Sequence, residues 1–224
     1  MKTLTCFAAA ILALTVSASD VAGTTRLTIA PRSTLLLNGT SNVTRWRCSG
    51  STLTGLMEVA APLQKINEVI DHVEDGQIAI WMANPEAARF PQPRFDLTIP
   101  IDALRCSGGR PMERDMVAAL KADRYPAIHV RFVELRGAVQ HDIDQRLYRV
   151  VVQTEVSLAG VTRALELVVT AERVANDRFR IRAELPLRMT DFGVTPPKAL
   201  FGIVRAGDRL TVELNLLLEA ESHG

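Results

Sequence analysis

Residues 147–172 read LYRVVVQTEVSLAGVTRALELVVTAE, and this stretch decides the fold class. Apolar side chains recur at every second position on both sides of Ala159 and Gly160, which are residues typical of a tight turn. The segment therefore predicts two long antiparallel strands joined as a hairpin, each with one apolar face. That face carries Val150, Val152, Thr154, Val156 and Leu158 on the first strand and Leu165, Leu167 and Val169 on the second.

Segments of similar character lie on both sides of this hairpin. The predicted strands are 26–30, 34–37, 43–48, 52–60, 77–82, 95–101, 128–135, 179–189 and 209–218. Turn residues separate several of them, at Asn38-Gly39, Gly137 and Asn176-Asp177. Because the chain shows no internal repeat and no shift in composition, we predict one all-β domain. Its antiparallel strands, about eight in number, are expected to close into a barrel.

Two segments have helical periodicity instead. Residues 62–75 begin with Pro62, end before Gly76, and carry Leu63, Ile66, Val69, Ile70 and Val73 at helical spacing. Residues 111–121 begin with Pro111, which suits the first position of a helix, and carry an apolar stripe of Met112, Met116, Ala119 and Leu120. Such a methionine stripe is more typical of core packing than of ligand contact. Between the two helices, residues 84–93 contain three prolines and predict a loop.

The first 18 residues predict a cleavable export signal. Lys2 gives a positive start, residues 4–14 are almost entirely apolar, and small residues precede the bond between Ala18 and Ser19. The apolar run is shorter than the ~20 residues that a transmembrane helix needs. A membrane anchor or a buried N-terminal helix is the alternative. We therefore expect a mature domain of residues 19–224 that is not an integral membrane protein.

Two cysteines, Cys48 and Cys106, remain after this cleavage. In an oxidising compartment such a pair predicts a disulfide, on the strand face that Cys48 shares with Trp46. Two separate buried thiols are the alternative. A metal site is disfavoured, because no CxxC or paired histidine spacing accompanies the cysteines.

Charge and motifs exclude several classes of function. The precursor has a net charge of +1, and removal of Lys2 with the signal leaves 25 basic and 25 acidic residues, so nothing indicates a nucleic-acid partner. The scattered histidines lack metal-ligand spacing, and no nucleophile elbow, P-loop or dinucleotide fingerprint is present. We interpret His129 as a packed or surface strand residue and Asp191 as a turn cap or a hydrogen-bonding group at the rim. We predict no catalytic residue, no metal and no cofactor.

Five stretches, in this order along the chain, resemble the YceI-like family. They are residues 39–43 with Trp46 and Cys48, residues 99–106 leading into the 112–120 helix, residues 124–130, residues 158–163, and residues 189–200 with 205–212. The last stretch is similar to the branch of the family that carries a cysteine pair. The resemblance spans about residues 27–218. It departs from the family pattern at 63–73, where a helix replaces the usual strand and hairpin and is expected to cover the barrel mouth or narrow the tunnel.

The resemblance implies a lipocalin-like antiparallel barrel in the periplasm that binds an isoprenoid-type lipid or quinone and lacks catalysis. Combined with the alternation of the strands, it predicts an apolar tunnel. The predicted lining residues are Phe132, Val152, Leu165, Leu167, Leu185 and Leu187, with Met112 and Met116 near a mouth. The alternative is an envelope structural or stress-related interaction protein with a filled barrel, because periodicity does not distinguish a filled interior from a hollow one. The sequence does not decide between a monomer and a homodimer.

Overall fold

The computed structural model describes residues 23–74, 91–142 and 147–221. Within them lie two α-helices, α1 (Leu63–Glu74) and α2 (Gly109–Ala119), and three short 3-10 turns at Ile101–Ala103, Met189–Phe192 and Leu200–Gly202. The strands are β1 (Thr25–Ile29), β2 (Thr34–Ser41), β3 (Arg45–Gly50), β4 (Thr54–Val59), β5 (Arg94–Pro100), β6 (Arg105–Cys106), β7 (Ala127–Asp142), β8 (Leu147–Leu158), β9 (Val161–Ala175), β10 (Arg178–Arg188), β11 (Lys198–Ala199) and β12 (Val204–Ala220).

The sheet closes into an eight-stranded antiparallel barrel, as predicted. The order around the barrel is β1, β4, β5, β7, β8, β9, β10 and β12, and β12 pairs again with β1. Strand β12 also pairs with β2 through residues 206–215, and β2 continues the sheet to β3 and β6. One edge of β12 therefore contacts β2 along its first part and β1 along its last part.

Three neighbouring strand paths of the barrel bend near the middle of their length. Between β1 and β2 the bend is formed by residues 30–33, where the Ser33 hydroxyl donates to the Ala30 carbonyl and accepts the Leu217 amide at 2.9 Å. Leu53 lies in the bend between β3 and β4, and Ile101 and Leu104 lie in the bend between β5 and β6. All of these residues are buried. The bends therefore divide the barrel into two halves, one with β1, β4 and β5 and one with β2, β3 and β6.

The two helices lie at opposite ends of the barrel. Helix α1 contacts the turn between β9 and β10, since the Asn67 side chain donates to the Asn176 carbonyl at 2.9 Å and Asp71 pairs with Arg173 at 2.7 Å. Helix α2 follows β6 and packs its apolar stripe, including Met116 and Ala119, against the buried core. Among the described residues, no helix is long and apolar enough to cross a bilayer.

The predicted hairpin at 147–172 is confirmed in position and in register. Leu158 pairs with Val161, and the two residues between them both have positive φ, 52° at Ala159 and 85° at Gly160. This is the backbone of the tightest common hairpin turn, whose twist matches that of the flanking strands. Gly160 also lies directly against the Tyr125 ring, which leaves no space for a side chain there.

Four details of the sequence prediction are wrong. Asn38 and Gly39 are not turn residues: both lie within β2, where they pair with Arg47 and Trp46 of β3, because the strand continues to Ser41. Gly137 is not a turn residue: it lies within β7, beside one of three register shifts in the pairing with β8, where the strand bends without ending. Pro111 is the third residue of its helix, because Gly108 and Gly109 turn the chain earlier. Strand β12 begins at Val204 and is longer than the predicted 209–218. The predicted signal (1–18), the predicted strand 77–82 and most of the predicted loop 84–93 lie outside the described residues.

The predicted disulfide between Cys48 and Cys106 is present. The two cysteines are direct cross-strand partners in β3 and β6, and both are buried. They share the inner face with Trp46, whereas Val43, Arg45 and Arg47 are exposed, as the alternation predicted. Strand β6 has only two residues and pairs with β3 alone. The disulfide is therefore the strongest bond that holds β6 to the barrel.

Removing this bond is expected to destabilise the protein strongly. The cysteines are 58 residues apart, and the loop-closure entropy of the unfolded chain then corresponds to about 4 kcal/mol. The variant C48S/C106S should lose about this much unfolding free energy in urea under oxidising conditions. Reductant should lower the parent to the same value and leave the variant unchanged. Equal stability of variant and parent would contradict the role given to the bond.

Candidate functional site

A cavity of about 400 Å³ lies inside the half of the barrel that contains β2 and β3. Nine of the described strands contribute to its wall, and nearly all of the side chains are aliphatic or aromatic. They include Leu35, Leu37, Trp46, Ile99, Ile128, Val130, Val156, Leu158, Leu167, Ala183, Leu185, Leu187, Leu210, Val212 and Leu214. A volume in this range is typical of sites for small ligands.

Among the described residues, four with polar or charged side chains line the cavity: Ser41, Thr44, Asp115 and Arg188. Three of them, Thr44, Asp115 and Arg188, are also exposed on the outer surface, so the cavity reaches solvent beside them. These residues lie just before β3, in the middle of α2 and at the end of β10. The mouth therefore lies between helix α2 and the loops at this end of the barrel, and the deeper wall is apolar.

In the described part of the chain, the interior of the other half of the barrel is packed with buried side chains. Leu97, Leu216 and Leu218 are at most 1 % exposed, yet none of them lines the cavity. The buried Thr154 satisfies its hydroxyl by donating to the Leu165 carbonyl at 3.2 Å. The bends at mid-barrel thus separate a solid half, which supplies much of the core, from a hollow half.

Helix α2 covers one side of the cavity with Met112, Met116, Ala119 and Leu120. Its position is fixed at the N-terminal end, where the Glu113 carboxylate accepts the Cys106 amide at 3.2 Å and the Met116 sulfur lies 3.8 Å from Cys106 Sγ. Because Cys106 is bonded to Cys48 on β3, the disulfide links this helix to the cavity wall.

The segment after β10 covers the other side of the cavity. Phe192 and Val194 are buried and line the cavity, next to Met189. Two contacts hold the turn that carries them: the Asp208 carboxylate accepts both the amide and the hydroxyl of Thr190, at 2.9 and 2.8 Å, and Arg163 donates to the Asp191 carbonyl at 2.9 Å. The hydrogen bond from the Thr190 amide lowers the pKa of Asp208, opposed by some desolvation.

Five of the eight predicted lining residues are brought together around this cavity: Met112, Met116, Leu167, Leu185 and Leu187. Phe132, Val152 and Leu165 are not part of its lining. Their alternation is nevertheless as predicted, since Phe132 pairs with the buried Thr154, Val152 is buried, and Leu165 packs on the core. They lie further along their strands, where the interior is filled.

Several lining residues were not predicted from the sequence. Phe192 and Val194 come from an irregular segment, where no periodicity indicates which side chains turn inward. Ala183 lies on the predicted inner face of β10, but it was not predicted because only large apolar residues were taken as lining candidates. The expectation that the 63–73 helix covers the mouth or narrows the tunnel is wrong. The described part of helix α1 contacts the turn between β9 and β10 at the other end of the barrel and does not line the cavity.

The polar residues singled out in the sequence form no reactive site. His129 is exposed on β7, and its Nδ1 lies 3.3 Å from the Thr98 hydroxyl. Asp191 contributes its backbone carbonyl to the rim, and it is Asp208 whose carboxylate holds the turn. In the part of the chain that the structure describes, no group of histidines, cysteines and acids is placed to hold a metal ion.

An eight-stranded antiparallel barrel with an apolar internal cavity belongs to the class of lipocalin-like barrels, which can hold one small ligand inside. Residues 41–218 match the model of the YceI-like domain, and the chain belongs to this family.

Several solved structures share the fold, and two of them are similar over most of their length. A polyisoprenoid-binding domain from Saccharophagus degradans, described as implicated in plant cell wall breakdown, has a TM-score of 0.58 at 12% identity, over 88% of this chain and 98% of that one. BcnA from Burkholderia cenocepacia has a TM-score of 0.52 at 15% identity, over 83% and 94% of the two chains. No curated protein sequence matches this chain.

The Asp208 contacts predict a dependence of stability on pH. Since the folded-state pKa of Asp208 is lowered, its contribution is fully present above the ordinary aspartate pKa of about 3.9 and is lost as the pH falls through the folded-state value. The variant D208N should be less stable than the parent between about pH 5 and 8, and the difference should shrink below about pH 4. Urea unfolding of both proteins at each pH measures this difference in the free energy of unfolding. A difference that stays constant down to about pH 2 would contradict the assignment.

Proposed function

We propose that this protein binds an apolar, isoprenoid-type lipid or quinone in the barrel cavity and carries it through the periplasm. The observation that carries this proposal is the cavity itself, with its largely aliphatic wall and with three of its four polar side chains at the mouth. A structurally similar domain is described as polyisoprenoid-binding, which supports the same ligand class.

The chemistry of the wall suits a ligand recognised by its apolar surface. Each Å² of apolar surface removed from water contributes about 25 cal/mol, so a hydrocarbon chain inside the cavity needs few polar contacts. A charged or strongly hydrated molecule would lose its hydration without finding partners on the deep wall. The polar residues at the mouth, Thr44, Asp115 and Arg188, are where a head group would lie.

We further propose that the protein acts without catalysis. The described polar residues of the lining pair no nucleophile with a base, which acyl or group transfer would need. The alternative of a structural protein with a filled barrel is less well supported, because part of the interior is hollow.

The periplasmic location is likewise a proposal. It is supported by the sequence of residues 1–18, which has the order of an export signal, and by the buried disulfide, which persists in an oxidising compartment. In this proposal the mature domain is residues 19–224. N-terminal sequencing of the protein from a periplasmic fraction tests the cleavage site, with Ser19 as the expected first residue.

Native mass spectrometry tests the ligand. Protein purified from periplasm without detergent should carry a bound mass that organic extraction releases as an isoprenoid lipid or quinone. An empty protein that also fails to take up an added polyprenol or quinone would overturn the proposal.

Filling the cavity should abolish binding without unfolding the protein. Ala183 lines the cavity between Val169 and Leu214, so a phenylalanine at this position would occupy the space of the ligand. We expect A183F to lose most of its bound lipid and to change the unfolding free energy by no more than about 1–3 kcal/mol. The matched control is A164F, because Ala164 is exposed on the outer face of β9 and should leave binding intact. Unchanged lipid in A183F would place the ligand elsewhere.

A further inference from the structure

Three large apolar side chains project into solvent at the cavity end of the barrel. Phe201 is fully exposed, Ile203 is 69 % exposed and Val43 is 61 % exposed. They are the most exposed large hydrophobic residues in the described part of the chain. Removal of large apolar side chains from water is favourable, so burial of these three side chains against a partner would stabilise the bound state.

The three residues belong to two segments that one side chain holds together. We call residues 41–47 and 197–206 the rim segments. Asn42 donates from its side chain to the Ile203 carbonyl at 2.8 Å, accepts the Arg205 amide at 2.8 Å, and donates its own amide to the Arg205 carbonyl at 3.1 Å. The exposed side chains on the two segments are therefore displayed from one connected surface.

The rim segments are also part of the cavity wall. Thr44 follows the exposed Val43 and lines the cavity, and Val204 does the same after the exposed Ile203. The other lining residues in the rim segments are Ser41, Trp46, Pro197, Ala199 and Ala206. The outer apolar surface is thus separated from the inner one by a single layer of chain.

The backbone at Phe201 is held in an unfavourable conformation. Its φ is 57°, in the left-handed region, which is unfavourable for a residue with a side chain. The neighbouring Gly202 has φ 88°, and its carbonyl accepts the Arg205 side chain at 2.9 Å. The strained turn therefore presents an aromatic ring to solvent, which gains nothing for the folded state by itself.

The charge of the rim segments differs from that of the whole chain. They contain Arg45, Arg47, Lys198 and Arg205 and no acidic residue, although the complete chain has a net charge of only +1. All four cations are exposed. The nearest carboxylate along the sequence, that of Asp208, is engaged by Thr190.

We propose that the rim segments dock on the surface of an anionic lipid membrane, with Phe201, Ile203 and Val43 inserted among the lipids. Apolar side chains surrounded by cations fit an interface in which hydrocarbon lies beneath negative head groups. A docked rim would bring the cavity wall next to the bilayer, so an apolar ligand could pass between them with little exposure to water. This inference rests on the proposed function, because it names the surface from which the cavity is loaded or to which it delivers.

Flotation with vesicles tests the docking directly, with no other protein present. The parent should float with vesicles of phosphatidylethanolamine and phosphatidylglycerol and should bind phosphatidylcholine vesicles much more weakly. Binding should fall as the ionic strength rises from about 0.05 to 0.5 M, since salt screens the attraction of exposed charges. A parent that does not bind anionic vesicles at low salt overturns the proposal.

Two variants locate the docking surface. F201S/I203S should reduce vesicle binding by roughly tenfold or more, because the inserted apolar area is lost. The matched control is V133S/V168S, which removes two valines that are 45 % and 51 % exposed on the barrel wall and should leave binding unchanged. R45Q/K198Q should weaken binding to anionic vesicles, whereas R94Q, on the exposed surface of β5, should not. Equal binding of F201S/I203S and the parent would also overturn the proposal.

A measurement of bound lipid separates this proposal from the proposed function. F201S/I203S should still contain, or take up from detergent solution, the same ligand as the parent, because neither residue lines the cavity. A protein that holds ligand but does not bind vesicles disproves docking alone. An empty protein that floats through Phe201 and Ile203 disproves the carrier function and leaves the docking surface in place.

Discussion

Closure of the barrel depends on the pairing of strand β12. One of its edges pairs with β10 over eleven residues, from Arg188 to Arg178, and the other edge is shared by β2 and β1. The change of partner falls at the bend of residues 30–33, where Ser33 satisfies the Leu217 amide that the interrupted ladder would leave without an acceptor. Without this exchange the sheet would keep an exposed edge at one half of the barrel. After the bend, β2 and β3 form part of the wall of the hollow half. Their path therefore determines where the cavity, helix α2 and the rim segments lie.

The sequence predicts those features that follow from a period of two. The hairpin around Ala159 and Gly160, the inner face of β9 and β10, and the shared face of Trp46 and Cys48 are all where alternation places them. Such predictions succeed because one buried face fixes the register, and a slip by one residue would expose every apolar side chain of a strand. The helix at 109–119 and the disulfide are predicted equally well, from a 3.6-residue period and from an even cysteine count.

The position of a side chain along the barrel axis could not be predicted in this way. Val152 and Leu165 face inward as expected, but they lie in the filled half, and nothing in a single strand indicates where the interior is hollow. That boundary is set by the bends at Ser33, Leu53 and Ile101, which belong to three different strand paths. Irregular segments were missed for a related reason: Phe192 and Val194 close the cavity from a turn that has no period. The continuation of β7 through Gly137 was missed because a bulge and a turn favour the same residue.

The division of the barrel at its bends also has an evolutionary consequence. Residues such as Leu97, Leu216 and Leu218 belong to the solid half, whereas the ligand would contact residues such as Ala183, Leu185 and Leu210 in the other. Substitutions that reshape the hollow half therefore leave most of the packing in the solid half untouched, because distant sites contribute nearly independently to the free energy of folding. Descendants of one ancestral barrel can in this way diverge in what they accommodate while they inherit the same foldable scaffold.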